Sequence, residues 1–258
     1  MIQSLNYIHP EARLGTNVCV GPFSTISENV VIGEGTWIGP HVTILPGARI
    51  GSYCQIFPGA VISAIPQDLK FQGEDSTVEI GDYTTIREHV TISRGTLAGP
   101  VTRIGSHVLL MAYVHVAHDC IVGDYSVLAN AVQLAGHVEI DPYVKIGGVV
   151  ALRQFIKVGA HAMISGGSLV RKDVPPFIKV AREPIRYCGL NIVGLNRHGF
   201  TTQQIQTIQR IYNYIFQQGL PLPEALIQIE EEIIPCPEKD MVLNFIKKSQ
   251  LGIVKNPL

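Results

Sequence analysis

The chain is short of charge. Asp, Glu, Lys and Arg make up 16% of its 258 residues, against about 25% in an average soluble domain. They nearly cancel, leaving a net charge of −1. Disorder needs the opposite combination, low hydrophobicity with high net charge, and 46% apolar residues exclude it. So neutral a balance also argues against bulk nucleic-acid binding. Long apolar runs are missing too: none approaches the roughly 18–20 residues that cross a bilayer, and the longest, Val108–Val114, stops at His115. No basic segment leading into an apolar one opens the sequence, so no secretory leader is expected. The five cysteines (19, 54, 120, 188 and 236) are odd in number and form no CxxC. That argues against a disulfide framework and fits a reducing cytoplasm.

What is present in excess is glycine, with 25 residues, and a period of six. Steps of six from Ile8 to Val170 give 28 positions, of which 25 carry Ile, Leu or Val. These types make up 77 of 258 residues, so composition alone predicts eight or nine. Four residues after the aliphatic comes a small or β-branched side chain, as at Ala12, Val18, Ser24, Thr36, Cys54, Cys120 and Ser126. Six residues are three strand periods of two, so both restricted positions share one face and a tight turn consumes the rest. This is the pattern of a parallel β-helix of hexapeptides. Cys54 and Cys120 fall on small inward positions and read as core. Eighteen residues per coil predict roughly nine coils over residues 8–170, about 43 Å of prism at strand spacing. The rhythm loses its aliphatic at Asp68, Glu74 and Ala98. Pro66–Val78 and Arg94–Arg103 are therefore expected to leave the prism as loops, which on a rigid scaffold often carry function.

Beyond Val170 the style changes. Lys172–Phe200 reads as a proline-containing connector. A helix is predicted over 203–218, capped by Thr201 or Thr202 and stopped by Gly219. Two more follow over 223–234 and 238–250, separated by prolines. The expected division is a β-helix domain over 1–190, with loops near 66–79 and 94–103 and a connector over 171–190, and a helical domain over 191–258.

Among nine histidines, His118 stands out with Asp119 at an outward corner, because Val116 and Cys120 are the inward pair of that hexad. An 18-residue coil stacks Gly136 and then Gln154 on His118, and His137 on Asp119. Imidazole can abstract a hydroxyl proton near neutrality, and a backbone N–H at Gly136 can donate to an oxyanion. No nucleophile and no GxSxG elbow are evident, so the chemistry suggested is direct, base-assisted transfer. The same column also fits an ordinary polar outer face.

Seven segments decide between these readings: QDLKFQGE (67–74), TISRGT (91–96), HVAHDCIVGD (115–124), LAGHV (134–138), RQF (153–155), DVPPF (173–177) and GLNIVGLNRHGF (189–200). In order and spacing they resemble the UDP-N-acetylglucosamine O-acyltransferase family, over essentially the whole chain. The resemblance implies a mainly β fold, a left-handed parallel β-helix with a C-terminal α-helical domain, and its handedness rests on the resemblance alone. It also implies a cytoplasmic homotrimer with active sites between neighbouring prisms and no cofactor or metal. The implied reaction moves a 3-hydroxyacyl chain from acyl carrier protein to the glucosamine 3-hydroxyl of UDP-N-acetylglucosamine, opening lipid A biosynthesis. By the same resemblance His118 is the general base, Asp119 its partner and Gly136 the oxyanion donor. Gln67, Asp68, Lys70, His115, His137, Gln154, Asn191 and Arg197 fall on substrate-binding positions. Met163 and Gly166 fall where acyl-chain length is set, and a glycine at 166 implies room for a long chain. Ser93, Arg153 and His198 depart from the family pattern.

An acidic carrier also suits the charge between Arg171 and His198, where six basic residues face two acidic ones. The alternative from another class is a trimeric β-helix carbonic anhydrase with zinc between histidines. Its close pair lies five residues apart, whereas His115 and His118 lie three apart.

Overall fold

The computed structural model describes residues 5–255; residues 1–4 and 256–258, the outer ends of the two expected domains, lie outside the described residues. Strands of mostly two residues recur every six, beginning Tyr7–Ile8, Arg13–Leu14 and Cys19–Val20. Each pairs in parallel with the strand one coil on, as His115–Val116 does with Gln133–Leu134. The result is three sheets of 9, 8 and 10 strands. They form the three walls of a left-handed parallel β-helix, here called the first, second and third in chain order.

Aliphatic residues of the six-residue clock fill the prism, with Ile26, Ile44, Ile62, Ile92, Val116 and Leu134 all fully buried along the first wall. The small position works as the sequence predicts. Where it carries a hydroxyl, that group satisfies the turning backbone: Ser24 Oγ donates to Gly39 O (2.7 Å) and accepts from Val42 N (3.0 Å). Thr36 does the same with Gly51 O and Cys54 N. Cys54 and Cys120 lie in the core, and burial pushes their thiols up to about 11 and about 12.

Most corners hold a residue in the left-handed region, and most of these are not glycine: His41, Tyr53, Tyr83, His107, Asp119, Tyr125, His137, Tyr143 and Phe155 all have positive φ. For an L-residue this costs about 1–2 kcal/mol. Stacked rings return roughly 0.5–1.5 kcal/mol per pair beyond burial, and stacking is what these corners do. From Tyr53 through Tyr83, His107, Tyr125 and Tyr143 to His161, ring centroids follow one another at 4.7–5.3 Å.

Two loops leave the prism, over residues 65–76 and 94–100, and each consumes whole hexads; Val78 and Arg103, expected in the loops, lie instead on the strands Thr77–Ile80 and Val101–Ile104. Ile62 pairs with Ile92, and Ile92 with Val116. Those offsets of 30 and 24 residues exceed one coil by 12 and 6. The phase therefore survives, but the 8–170 span makes about eight coils rather than nine at 18 residues each.

The connector is more ordered than its prolines suggest. Ile178–Ala181 adds in parallel to Met163–Ile164, and Arg186–Leu190 returns antiparallel, extending the third wall. Four helices follow: α1 (Ile192–Arg197), α2 (Thr202–Phe216), α3 (Leu222–Glu232) and α4 (Pro237–Lys248). The sequence reading missed α1, whose six residues are too few to show a period. Thr201 and Gln204 close a capping box on α2, and the buried Tyr212 donates its hydroxyl to Pro176 O (2.6 Å). Asp173 ties the tail to the prism, accepting from Lys157 N (2.9 Å) and Ser249 Oγ (2.6 Å).

Candidate active site

The corner between the first and second walls holds the histidine and aspartate that the sequence singles out. His118 follows the strand His115–Val116, and Asp119 occupies the left-handed corner with φ 61°. Side chains of adjacent residues ordinarily diverge; the positive φ turns Asp119 back, so that His118 Nδ1 donates to its Oδ2 at 2.7 Å. His137, one coil on, places Nε2 3.3 Å from the same oxygen and sets its ring edge-on to His118. Gly136 lies beneath the imidazole. A Cβ there would stand 2.5 Å from His118 Cε1 and 2.7 Å from Nε2. Its backbone N–H donates to no acceptor among the described residues.

The sequence places this pair at an outward corner, yet both residues are 8% exposed. The second loop covers them, a feature the periodicity could not show. Thr96 gives its backbone N–H to Asp119 Oδ1 and its hydroxyl to Oδ2, each at 2.7 Å. Thr102 Oγ1 accepts from Asp119 N at 2.9 Å. Neither threonine was singled out in the sequence; only their place in the interrupted hexads marked them.

Of the other expected residues, several share this corner. The first loop leaves the prism at the same corner, carrying Gln67, Asp68 and Lys70, with Asp68 Oδ1 accepting from Lys70 N (3.0 Å). The loops touch through Gly95 N donating to Thr77 O and Arg94 over the Phe71 ring. His115 points outward from the first wall and bonds Thr91 Oγ1 at 2.7 Å; burial, then the nearby His118, lowers its pKa. Gln154 is exposed one coil above Gly136.

The remainder lie elsewhere. Met163 is on the third wall and Gly166 at the corner between the third and first, facing Gly148 O. Asn191 belongs to the corner between the second and third, where its side chain is already engaged: Nδ2 donates to His161 O (2.9 Å) and Oδ1 caps α1 at Gly194 N (3.2 Å). Arg197 ends α1. Among the departures, Ser93 is buried, Arg153 exposed, and His198 Nδ1 lies 3.1 Å from His161 Nδ1.

His118, Asp119 and His137 also have the donor atoms of a metal site, all within 4.8 Å of one another. Two ligands on one tetrahedral zinc sit about 3.3 Å apart at ordinary bond lengths, whereas Nδ1 and Oδ2 are at hydrogen-bond distance, 2.7 Å. With Asp119 also accepting twice from Thr96, this donor set fits a hydrogen-bonded dyad better than a metal centre.

Comparison with known proteins agrees with the geometry. A family model described as UDP N-acetylglucosamine O-acyltransferase, domain 2, matches residues 173–254, and one for bacterial transferase hexapeptides matches 29–64 and 102–136. The acyl-[acyl-carrier-protein]–UDP-N-acetylglucosamine O-acyltransferase of Thiobacillus denitrificans is 45% identical over 96% of both chains. The chain belongs to this family. A crystal structure of a UDP-N-acetylglucosamine acyltransferase from Bacteroides fragilis superposes with a TM-score of 0.96, at 48% identity over 98% of this chain and 100% of that one. The Arabidopsis UDP-N-acetylglucosamine acyltransferase superposes at 0.87, with 31% identity over 99% of this chain and 100% of that one. This member of the O-acyltransferase family is therefore an acyltransferase on hexapeptide repeats, and no helix among its described residues is long and apolar enough to cross a membrane.

Proposed function

We propose that the protein transfers a 3-hydroxyacyl chain from acyl carrier protein to the glucosamine 3-hydroxyl of UDP-N-acetylglucosamine, in the cytoplasm, as the first step of lipid A biosynthesis. The names of its relatives support the substrates. The observation that carries the mechanism is the dyad over Gly136. With Nδ1–H held by Asp119, the proton-accepting nitrogen of His118 is Nε2. Nε2 takes the 3-hydroxyl proton as the oxygen attacks the thioester carbonyl. The Gly136 N–H donates to the oxyanion. Collapse of the intermediate breaks the C–S bond, and the imidazolium returns its proton to the leaving thiolate. Asp119 stabilises the imidazolium throughout.

The division of the chain at 190/191 belongs to this reading, with the prism supplying the base and the basic segment from Arg171 to His198, which straddles the division, the carrier contacts. So does the trimer. The residues expected to bind substrate lie at three different corners, and the corners of one prism cannot meet. A neighbouring copy that brings its own corner against the dyad would complete the site. Exposed apolar corners support such packing, with Val149 at 69% and Phe155 at 51% exposure.

The test is an assay with UDP-N-acetylglucosamine and 3-hydroxyacyl carrier proteins of graded length, run on wild type and His118→Ala. Loss of turnover in the variant with substrate binding retained is expected. Activity should also survive exhaustive chelation, and stoichiometric zinc lost together with activity would instead favour a metal mechanism.

A further inference from the structure

We propose that Thr96 is a positioning residue for the dyad, setting the Asp119 carboxylate so that His118 keeps Nε2 as its base; this rests on the acyl-transfer reading above. A carboxylate has about four acceptor sites and a side-chain torsion with broad minima. Something must therefore fix which oxygen faces the imidazole. Among the described residues Thr96 alone holds both oxygens, its N–H on Oδ1 and its hydroxyl on Oδ2. The hydroxyl has no freedom to turn away, because Thr96 Oγ1 also accepts from Ala98 N at 3.3 Å, which leaves its own proton for Asp119.

The loop around Thr96 is built to keep it there. Thr96 and Gly99 exchange N–H···O=C bonds in both directions at 3.2 Å. A Cβ at Gly95 would stand 2.2 Å from Gly99 O, and one at Gly99 would stand 3.1 Å from Asp119 Oδ1. Gly95 is thus required for the close approach, and a side chain at Gly99 would press on the carboxylate. Held by these donors, the carboxylate stays oriented as a hydrogen-bond acceptor for the imidazole N–H. The proton taken from substrate consequently stays on His118, where the leaving thiolate can recover it.

The experiment compares Thr96→Val, which keeps the size and the backbone bond but removes the hydroxyl, with Thr96→Ser, which keeps the hydroxyl. Losing one hydrogen bond to a charged group lowers kcat about 10- to 100-fold, with KM for UDP-N-acetylglucosamine within about twofold. The acid limb of the kcat/KM–pH profile is expected to move to higher pH, since a carboxylate with one donor fewer holds the imidazolium more strongly. Thr96→Ser restores both. Wild-type kcat in Thr96→Val, an unmoved acid limb, or a serine variant as impaired as the valine one overturns the assignment. If Thr96→Val does not fold, Thr96→Ala, which also removes the hydroxyl and keeps the backbone bond to Oδ1, gives the same decision. Its kcat should fall at constant KM, and an unchanged kcat again overturns the proposal. Retained turnover in His118→Ala would refute the acyl-transfer mechanism itself, so the two failures are distinguishable.

Discussion

Gly136→Ala puts a methyl group directly against the proposed base. Its Cβ would lie 2.5 Å from His118 Cε1, where carbon–carbon contacts prefer about 3.5–4.0 Å. The ring must retreat by roughly 1 Å, a displacement that alone costs about 10²-fold in a well-placed catalytic group. Retreat also strains the 2.7 Å bond to Asp119, whose loss takes the penalty toward about 10⁴-fold. The expected fall in kcat lies between these bounds. Stability should move little, by about 1–2 kcal/mol at most, because the nearest atoms to the new Cβ all belong to His118 and the backbone there is not left-handed. Initial rates and thermal unfolding measure the two effects separately. A double-mutant cycle adds the decisive control. If alanine at 136 acts only through the imidazole, adding it to His118→Ala costs nothing further. Activity of Gly136→Ala within about threefold of wild type, or additive losses in the double variant, would refute the reasoning.

Further outcomes follow from other sites. Gly166→Met should shift preference toward shorter acyl donors, since only Gly148 O, at 3.1 Å from a new Cβ, crowds that corner; competition between long and short carriers reads it, and an unchanged preference removes Gly166 from the acyl groove. Burial, with the His198 charge, lowers His161 to about 4. Between there and its unfolded value of about 6.5, the unfolded chain binds a proton that the fold refuses. The stability this contributes is complete above about pH 6.5 and lost as pH falls toward 4. His161→Phe, the residue type at the equivalent corner 155, should flatten that slope in urea titrations at pH 7 and 5. A thiol reagent under native conditions should modify Cys19, Cys188 and Cys236 but not Cys54 or Cys120, whose thiols are buried and raised to about 11 and about 12; rapid labelling of either would contradict the packed interior.

The β-helix was legible because its rule is local: every sixth side chain points inward, and the register of Ile62 with Ile92 keeps that rule across a loop. The corners were not. Tyr, His and Asp at positive φ leave no periodic hydrophobic mark, so the stacks from Tyr53 to His161 emerge only when coils are laid over one another. His118, Asp119, Gly136 and His137 could be aligned by counting eighteen, yet the cover over Asp119 could not, because it comes from Thr96 in a segment where the period fails. Asn191 shows the opposite limit. Its place in a recognisable motif was clear, but its side chain serves α1 and His161, a tie that depends on three-dimensional neighbours. In the connector, strand pairing to Met163–Ile164 overrode the local signal of its prolines.

The excursions of 12 and 6 residues give this architecture a ruler. A segment inserted as a loop at one edge leaves every later residue on its own wall. A segment folded in as a whole coil raises everything above it by one rung, about 4.8 Å, without rotation. A single hexad folded as strand turns all later groups by a third of a revolution and would carry the His118 edge round to a different side of the prism. Separations along the prism, between the loop bearing Asp68 and His118 or between His118 and the helices, are therefore quantised. Such a protein can lengthen its prism only in discrete steps, and finer adjustment falls to single side chains, the part proposed for residue 166.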